Sequence, residues 1–254
     1  MATIPFSKDV ARGEAKFFFT MACVMAASIV AGFSFNLATG RSSFGMPWLV
    51  HFHAWVMMGW VGLYLAQNSL IFAGNVALHR RLGWLSVGWI PLMLVMGTLI
   101  TRYSVQSHGG PPFFDQNQFL ISNPLQLLGF AVLAGTAVTV RRNTGWHRRL
   151  MYFAFAMLTG PGIGRLLPSP FLIPYAWYIE AVLPPILFAG VGMLADKRRC
   201  GRIHPAWWVG IATVIGIQVV ADFVAYSDAG MAFTRQFIAG TPGAERSMAA
   251  FFPT

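Results

Sequence analysis

Residues 48–72 read WLVHFHAWVMMGWVGLYLAQNSLIF, 25 positions without one Asp, Glu, Lys or Arg. As a helix rising 1.5 Å per residue this stretch is about 37 Å long, more than the roughly 30 Å hydrocarbon layer of a bilayer. Six further apolar runs recur along the chain: Phe17–Leu37, Leu82–Thr101, Pro124–Val140, Leu150–Leu166, Phe171–Ala195 and Ala206–Ala225. The reading is an all-α membrane protein of about seven transmembrane helices, one bundle over residues 1–254, with its core hairpins in 48–167. Residues 227–254, rich in Gly and Ala, are expected to form a mobile or interfacial tail.

Composition agrees. Hydrophobic residues make up 56% of the 254 positions and charged residues only 10%, against roughly 25% charged in soluble domains. A net charge of +10 would suggest nucleic acid in a soluble protein, but here the basic residues fall in short loops between apolar runs, so no nucleic-acid partner is expected. Thirteen of the 18 Lys and Arg lie on the side of Lys8, Arg80, Arg148 and Lys197. By the positive-inside rule the N-terminus is cytoplasmic and the C-terminus outside, in a multi-pass cytoplasmic (inner) membrane protein. The first run ends without a small-residue cleavage site, so it is expected to be retained, with the mature chain starting near Met1. Cys23 lies inside that run and Cys200 in a basic loop, an arrangement unsuited to a disulfide.

Prolines mark weak points. Pro91, Pro161 and the pair Pro184-Pro185 should kink or interrupt their helices, and Pro161-Gly162-Ile163-Gly164 makes the fifth span the least regular.

One motif occurs twice, as Leu78-His79-Arg80-Arg81-Leu82 and as Trp146-His147-Arg148-Arg149-Leu150. Each opens an inner-to-outer span, so His79 and His147 enter the membrane at equal depth on parallel helices. His53 lies 26 residues before His79, about 39 Å of helix, too far to share a metal with it. Two imidazoles on facing helices suit the axial positions of haem b, and Arg80, Arg81, Arg148 and Arg149 suit its propionates. The alternative is that both His-Arg-Arg motifs anchor helix ends to lipid phosphates.

The order His53, Gln67, Leu78-His79-Arg80-Arg81-Leu82-Gly83, His147-Arg148-Arg149-Leu150-Met151 and Arg165 resembles an uncharacterised bacterial family of multi-helix membrane proteins, over roughly Trp48–Leu167. More distantly the same core resembles the ascorbate-reducible transmembrane cytochromes b, in which four consecutive helices each bring a ligand His near their start. That resemblance implies haem ligands at His53, His79 and His147. The fourth place departs, since Ser122-Asn123-Pro124-Leu125-Gln126 holds no His, so the inner pair is complete and the outer one is not unless His108 substitutes. A single haem is the implied content.

A second constellation maps to the outer half: His53, Arg102, Arg165, Glu180 and Asp222. Carboxylates inside membrane spans are costly alone and mark functional sites or internal ion pairs. Here His53, Arg102 and Arg165 are candidate substrate-binding residues, with Glu180 and Asp222 as catalytic proton carriers. The opposing reading is that both Arg pair with these carboxylates to lock the bundle. Two functions follow: electron transfer through haem b with a quinone as lipid-soluble partner, or a cofactor-free cyclase or isomerase acting on an isoprenoid or lipid through the outer carboxylates.

Overall fold

The computed structural model describes residues 8–252, with side chains from Arg12 onward. Every regular element in this range is helical: α1 (Lys8–Ala38), α2 (Trp48–Phe72), α3 (Val76–Gly83), α4 (Leu85–His108), α5 (Gln116–Thr139), α6 (Thr144–Met157), α7 (Gly160–Leu166), a π-helical turn (Tyr178–Val182) running into α8 (Leu183–Cys200), α9 (Pro205–Ala225) and α10 (Asp228–Ile238). Six are long and apolar enough to cross a membrane: Arg12–Ala38 of α1, then α2, α4, α5, Tyr178–Cys200 and α9. Large apolar side chains point outward from them, among them Trp55, Val95, Val219 and Phe223. A surface of that kind suits lipid and not water.

The helices lie where apolarity puts them, with shifts that have local causes. The run expected at 82–101 divides: α3 ends at Gly83 and α4 begins at Leu85. The fourth span starts eight residues before Pro124, because the polar residues Gln116, Asn117, Gln118 and Ser122 are buried inside the bundle and not left at its end. An apolar-run criterion misses such a turn, since its polar groups are satisfied by neighbouring helices. The fifth run breaks at Pro161, whose missing N–H cannot continue the ladder. There Leu158 and Thr159 donate three residues back, to Phe155 O at 3.0 Å and Ala156 O at 3.1 Å, ending α6 before α7 restarts at Gly160.

Pro184 and Pro185 act similarly. Neither can donate to the carbonyls of Glu180 and Ala181, and the Leu183 N–H bonds instead to Tyr178 O, five residues back, which widens the turn into a π-helix.

α5 is central, packed on α4, α6 and α9, while α1 packs on α2 and α7. Phe130, Phe153 and Phe155 are wholly buried. Tyr64 stacks on Phe155 at 4.0 Å, and Trp60 meets Phe130 edge-on at 5.4 Å. α1 and α7 approach through Gly32 and Gly162, whose missing side chains let the backbones touch.

Of the expected tail, residues 228–238 form α10, and the chain beyond folds back on the α4–α5 connection. Phe251 N donates to Pro112 O at 2.9 Å, Gln116 N to Met248 O at 2.8 Å, and the Arg246 guanidinium caps the carbonyls of Gly109 and Phe114.

Candidate functional site

The two His-Arg-Arg motifs meet. Their approach begins with an asparagine four residues ahead of each histidine: Asn75 caps α3 by accepting from Leu78 N at 3.1 Å, and Asn143 caps α6 by accepting from Trp146 N at 3.4 Å. Each His therefore sits at the same point of its helix, in the first full turn. Besides the four residues His-Arg-Arg-Leu the two segments share this Asn, which fixes where each helix starts.

His79 and His147 lie with ring centroids 6.3 Å apart and planes at 79°. Both are half-buried. Burial holds His79 below the ordinary imidazole range, with the neighbouring His147 and Arg80 acting in the same direction. Each ring is oriented through Nδ1. His147 Nδ1 donates to Ala137 O at 2.7 Å, since a carbonyl only accepts. Around His79 the Gln67 carboxamide is satisfied at both ends when it is assigned with its oxygen accepting from Gly83 N–H at 2.8 Å and its nitrogen donating to His79 O at 3.1 Å and to His79 Nδ1. That places a proton on His79 Nε2 and a lone pair on His147 Nε2.

The donor set can be tested against haem. A metal held between two imidazole nitrogens at about 2 Å each sets the ring centroids about 6 Å apart, which is the spacing found. Among the described residues no group of three or more His, Cys, Asp or Glu gathers in a metal-binding arrangement; axial ligation of haem requires only two. Arg80 is exposed beside the pair and makes no ion pair among the described residues. Arg148 is already engaged by Glu14 at 2.7 Å. The two imidazoles could serve as axial ligands on one condition, that Gln67 turns its oxygen to His79 Nδ1 so that Nε2 offers a lone pair.

Next to the pair is an ionic knot that sequence reading did not single out. Arg149, 4% exposed, donates through Nε and Nη2 to the two oxygens of Asp196 at 2.7 and 2.5 Å and through Nη2 to Glu14 at 3.1 Å. Trp207 Nε1 adds a third donor to Asp196 at 2.7 Å. The knot ties α1, α6, α8 and α9. Arg149 thus belongs to the scaffold and is not open to a propionate. His204 caps α9 through Nδ1, accepting from Ala206 N at 3.1 Å, and burial pushes its imidazole down to about 4.

At the opposite end of the helices the outer constellation divides. Arg102 is exposed and donates to Gln106 on its own helix at 3.1 Å, so it joins neither carboxylate. Asp222 is held by neutral donors: Gln118 Nε2 at 3.0 Å and Gln218 Nε2 at 2.8 Å on one oxygen, Tyr178 OH at 3.0 Å on the other. Trp177 and Gln126 extend this network through Gln218 Oε1 at 2.8 and 3.1 Å. The remaining three, His53, Arg165 and Glu180, each bury a polar atom without a partner: His53 Nδ1, Arg165 Nε and Glu180 Oε1. Ion pairing of the outer Arg with these carboxylates does not occur among the described residues, where the pairs are Arg148–Glu14, Arg149–Glu14 and Arg149–Asp196.

No family model, no curated protein and no solved structure matches this chain.

Proposed function

We propose that this chain is a seven-span protein of the cytoplasmic membrane that carries haem b between His79 and His147 and transfers electrons, with a quinone as lipid-soluble partner. α6 and α7 make the seventh crossing: residues 144–166 amount to roughly 34 Å at 1.5 Å per residue. The excess of Lys and Arg at the end bearing both His-Arg-Arg motifs supports a cytoplasmic N-terminus and an outside C-terminus.

The observation that carries the haem reading is the imidazole pair at 6.3 Å, each ring anchored through Nδ1. Metal-binding histidines are characteristically oriented by such a bond on the other ring nitrogen. When bound, haem supplies reversible one-electron chemistry. Ala137 O and Gln67 orient the two rings, Arg80 offers charge to a propionate, and the Arg149 knot holds α6 at its level. A reduced-minus-oxidised visible spectrum of the purified protein tests this. A Soret and alpha band lost in His79→Ala and in His147→Ala is expected; a colourless, well-folded protein from haem-replete cells ends the proposal.

A second reading rests on Glu180, whose Oε1 is buried and unpaired. A carboxylic acid kept dry can protonate an alkene, the opening step of a cofactor-free isoprenoid cyclase or isomerase. Asp222 has both oxygens already accepting hydrogen bonds, so neither is left unpaired as Glu180 Oε1 is. Turnover of an isoprenoid by haem-free protein, lost in Glu180→Gln, would favour this reading over the first.

A further inference from the structure

We propose that α10 is a membrane-surface helix, seated in the leaflet at the end of the bundle opposite His79 and His147, with the flank bearing Ala229, Phe233 and Phe237 turned to the acyl chains of phospholipids. The proposal is independent of the haem reading. At 11 residues, about 16 Å, α10 is too short to cross a bilayer. What has to be argued is its level and its facing.

Its level follows from what holds it. α9 ends at Ala225 and α10 starts at Asp228, and their backbones meet where a Cβ on Gly230 would overlap Val224 O. Farther along, the Asn117 amide of α5 donates to Ala225 O and accepts from the Thr234 hydroxyl. Near the other end, Gln106 Nε2 of α4 donates to Phe237 O at 3.1 Å. α10 therefore runs from the last turn of α9, over the first turn of α5, to the last turn of α4. All three are long and apolar enough to cross a membrane. A helix anchored at both ends to the ends of crossing helices lies at the level where hydrocarbon meets head groups.

Its facing follows from its side chains. Gly230, Thr234 and Ile238 form the buried face, and the two flanks beside it differ. Ala229, Phe233 and Phe237 repeat every four residues along one flank, with the two phenyl rings 5.6 Å apart. Asp228 and Arg235, two turns apart and exposed, mark the other. Phe233 is 52% exposed, an apolar surface on the edge of the molecule that no part of the chain covers.

The surface of α9 says what does cover it. Val219, Val220 and Phe223 are exposed there, Phe223 at 81%, on a helix able to span a membrane, so lipid is their surrounding. From Phe223 to Tyr226 is one turn, about 4.5 Å, and the exposed Tyr226 is of the residue type enriched at membrane interfaces. The apolar flank of α10 begins directly after it. Apolar side chains towards acyl chains and charges towards head groups and water is the division an interfacial helix carries. A second copy of the chain docking through this flank would meet one large exposed side chain, far less than the about 1,000 Å² that a stable interface needs.

The test uses the full chain in vesicles of phosphatidylcholine and phosphatidylglycerol. Cys23→Ser and Cys200→Ser remove the two native thiols, and one spin label is placed in turn at Phe233→Cys, at Arg235→Cys and, as a lipid-facing reference, at Phe223→Cys. Power saturation compares collisions with oxygen, which concentrates among acyl chains, and with a polar nickel chelate, which is excluded from them. The oxygen-to-nickel ratio at position 233 is expected to approach that at 223 and to exceed that at 235 at least tenfold. Thermal unfolding of each variant checks its fold; should Phe233→Cys not fold, Ala229→Cys on the same flank is read in its place. A smaller excess over position 235 means that water covers the flank and overturns the proposal. Exclusion of both reagents at 233, with dipolar broadening between labels, means that a second copy covers it and overturns the proposal equally.

Discussion

Arg149 and Asp196 face each other fork to fork, through bonds of 2.7 and 2.5 Å, with Asp196 only 2% exposed. A bidentate pair of this kind, with Glu14 and Trp207 completing its hydrogen bonds, offsets the cost of desolvating its charges. Arg149→Ala leaves two buried carboxylates facing each other and should lower stability by about 3–5 kcal/mol. Arg149→Lys keeps the charge, loses the fork, and should cost less. Denaturant unfolding in detergent measures both; a loss within 1 kcal/mol for Arg149→Ala would show that the knot is not a principal tie.

The neighbouring His204 gives a pH dependence. Its imidazole is depressed to about 4 in the fold, from 6.5 in the unfolded chain, and Nδ1 must stay unprotonated to accept from Ala206 N. As pH falls from about 6.5 to about 4 the unfolded chain takes up the proton first. The contribution of His204 is therefore complete above the upper value and is lost towards the lower. In His204→Ser, which caps without titrating, the fall in melting temperature between pH 7 and pH 4 should be shallower than in the parent. An identical slope would assign the acid sensitivity to other groups.

On the haem reading, Gln67 sets which nitrogen His79 offers, because its amide nitrogen faces Nδ1 in the orientation that satisfies the carboxamide. Gln67→Glu puts an acceptor there, moves the proton to Nδ1 and frees Nε2, so haem per mole of protein should rise. Gln67→Leu, which orients nothing, should bring it below the parent. The pyridine haemochrome assay reads both, and the reverse order would remove Gln67 from the role.

Gly32 and Gly162 let α1 meet α7 backbone to backbone. A Cβ at Gly32 would overlap Gly162 O, and one at Gly162 would stand 2.5 Å from Ile29 Cα. Gly32→Ala and Gly162→Ala should each destabilise by about 1–3 kcal/mol through overpacking. The double variant should lose less than their sum, since one separation of the helices relieves both. Full additivity would mean that the two positions do not share a contact.

Residues 48–72 and five of their fellow runs were readable as helices long and apolar enough to cross a membrane because hydropathy over some 20 residues is a local property of the chain. The equal placement of His79 and His147 was also in reach, since the helix phase is set by the nearby Asn75 and Asn143. Glu14 and Asp196 were not, because their meaning lies in Arg149, 135 and 47 residues away. Nor does the sequence show that Asp222 is enclosed by Gln118, Gln218 and Tyr178, whereas Glu180, two residues beyond Tyr178, keeps Oε1 buried and unpaired.

The sequence by itself determined that the chain is helical and suited to lipid, and it brought both His-Arg-Arg motifs to one end of the helices. Only the tertiary structure decided which buried polar groups satisfy one another and which stay open. The reason is that hydrophobic burial adds along the chain residue by residue, while a hydrogen bond exists only between two groups that distant segments bring within about 3 Å.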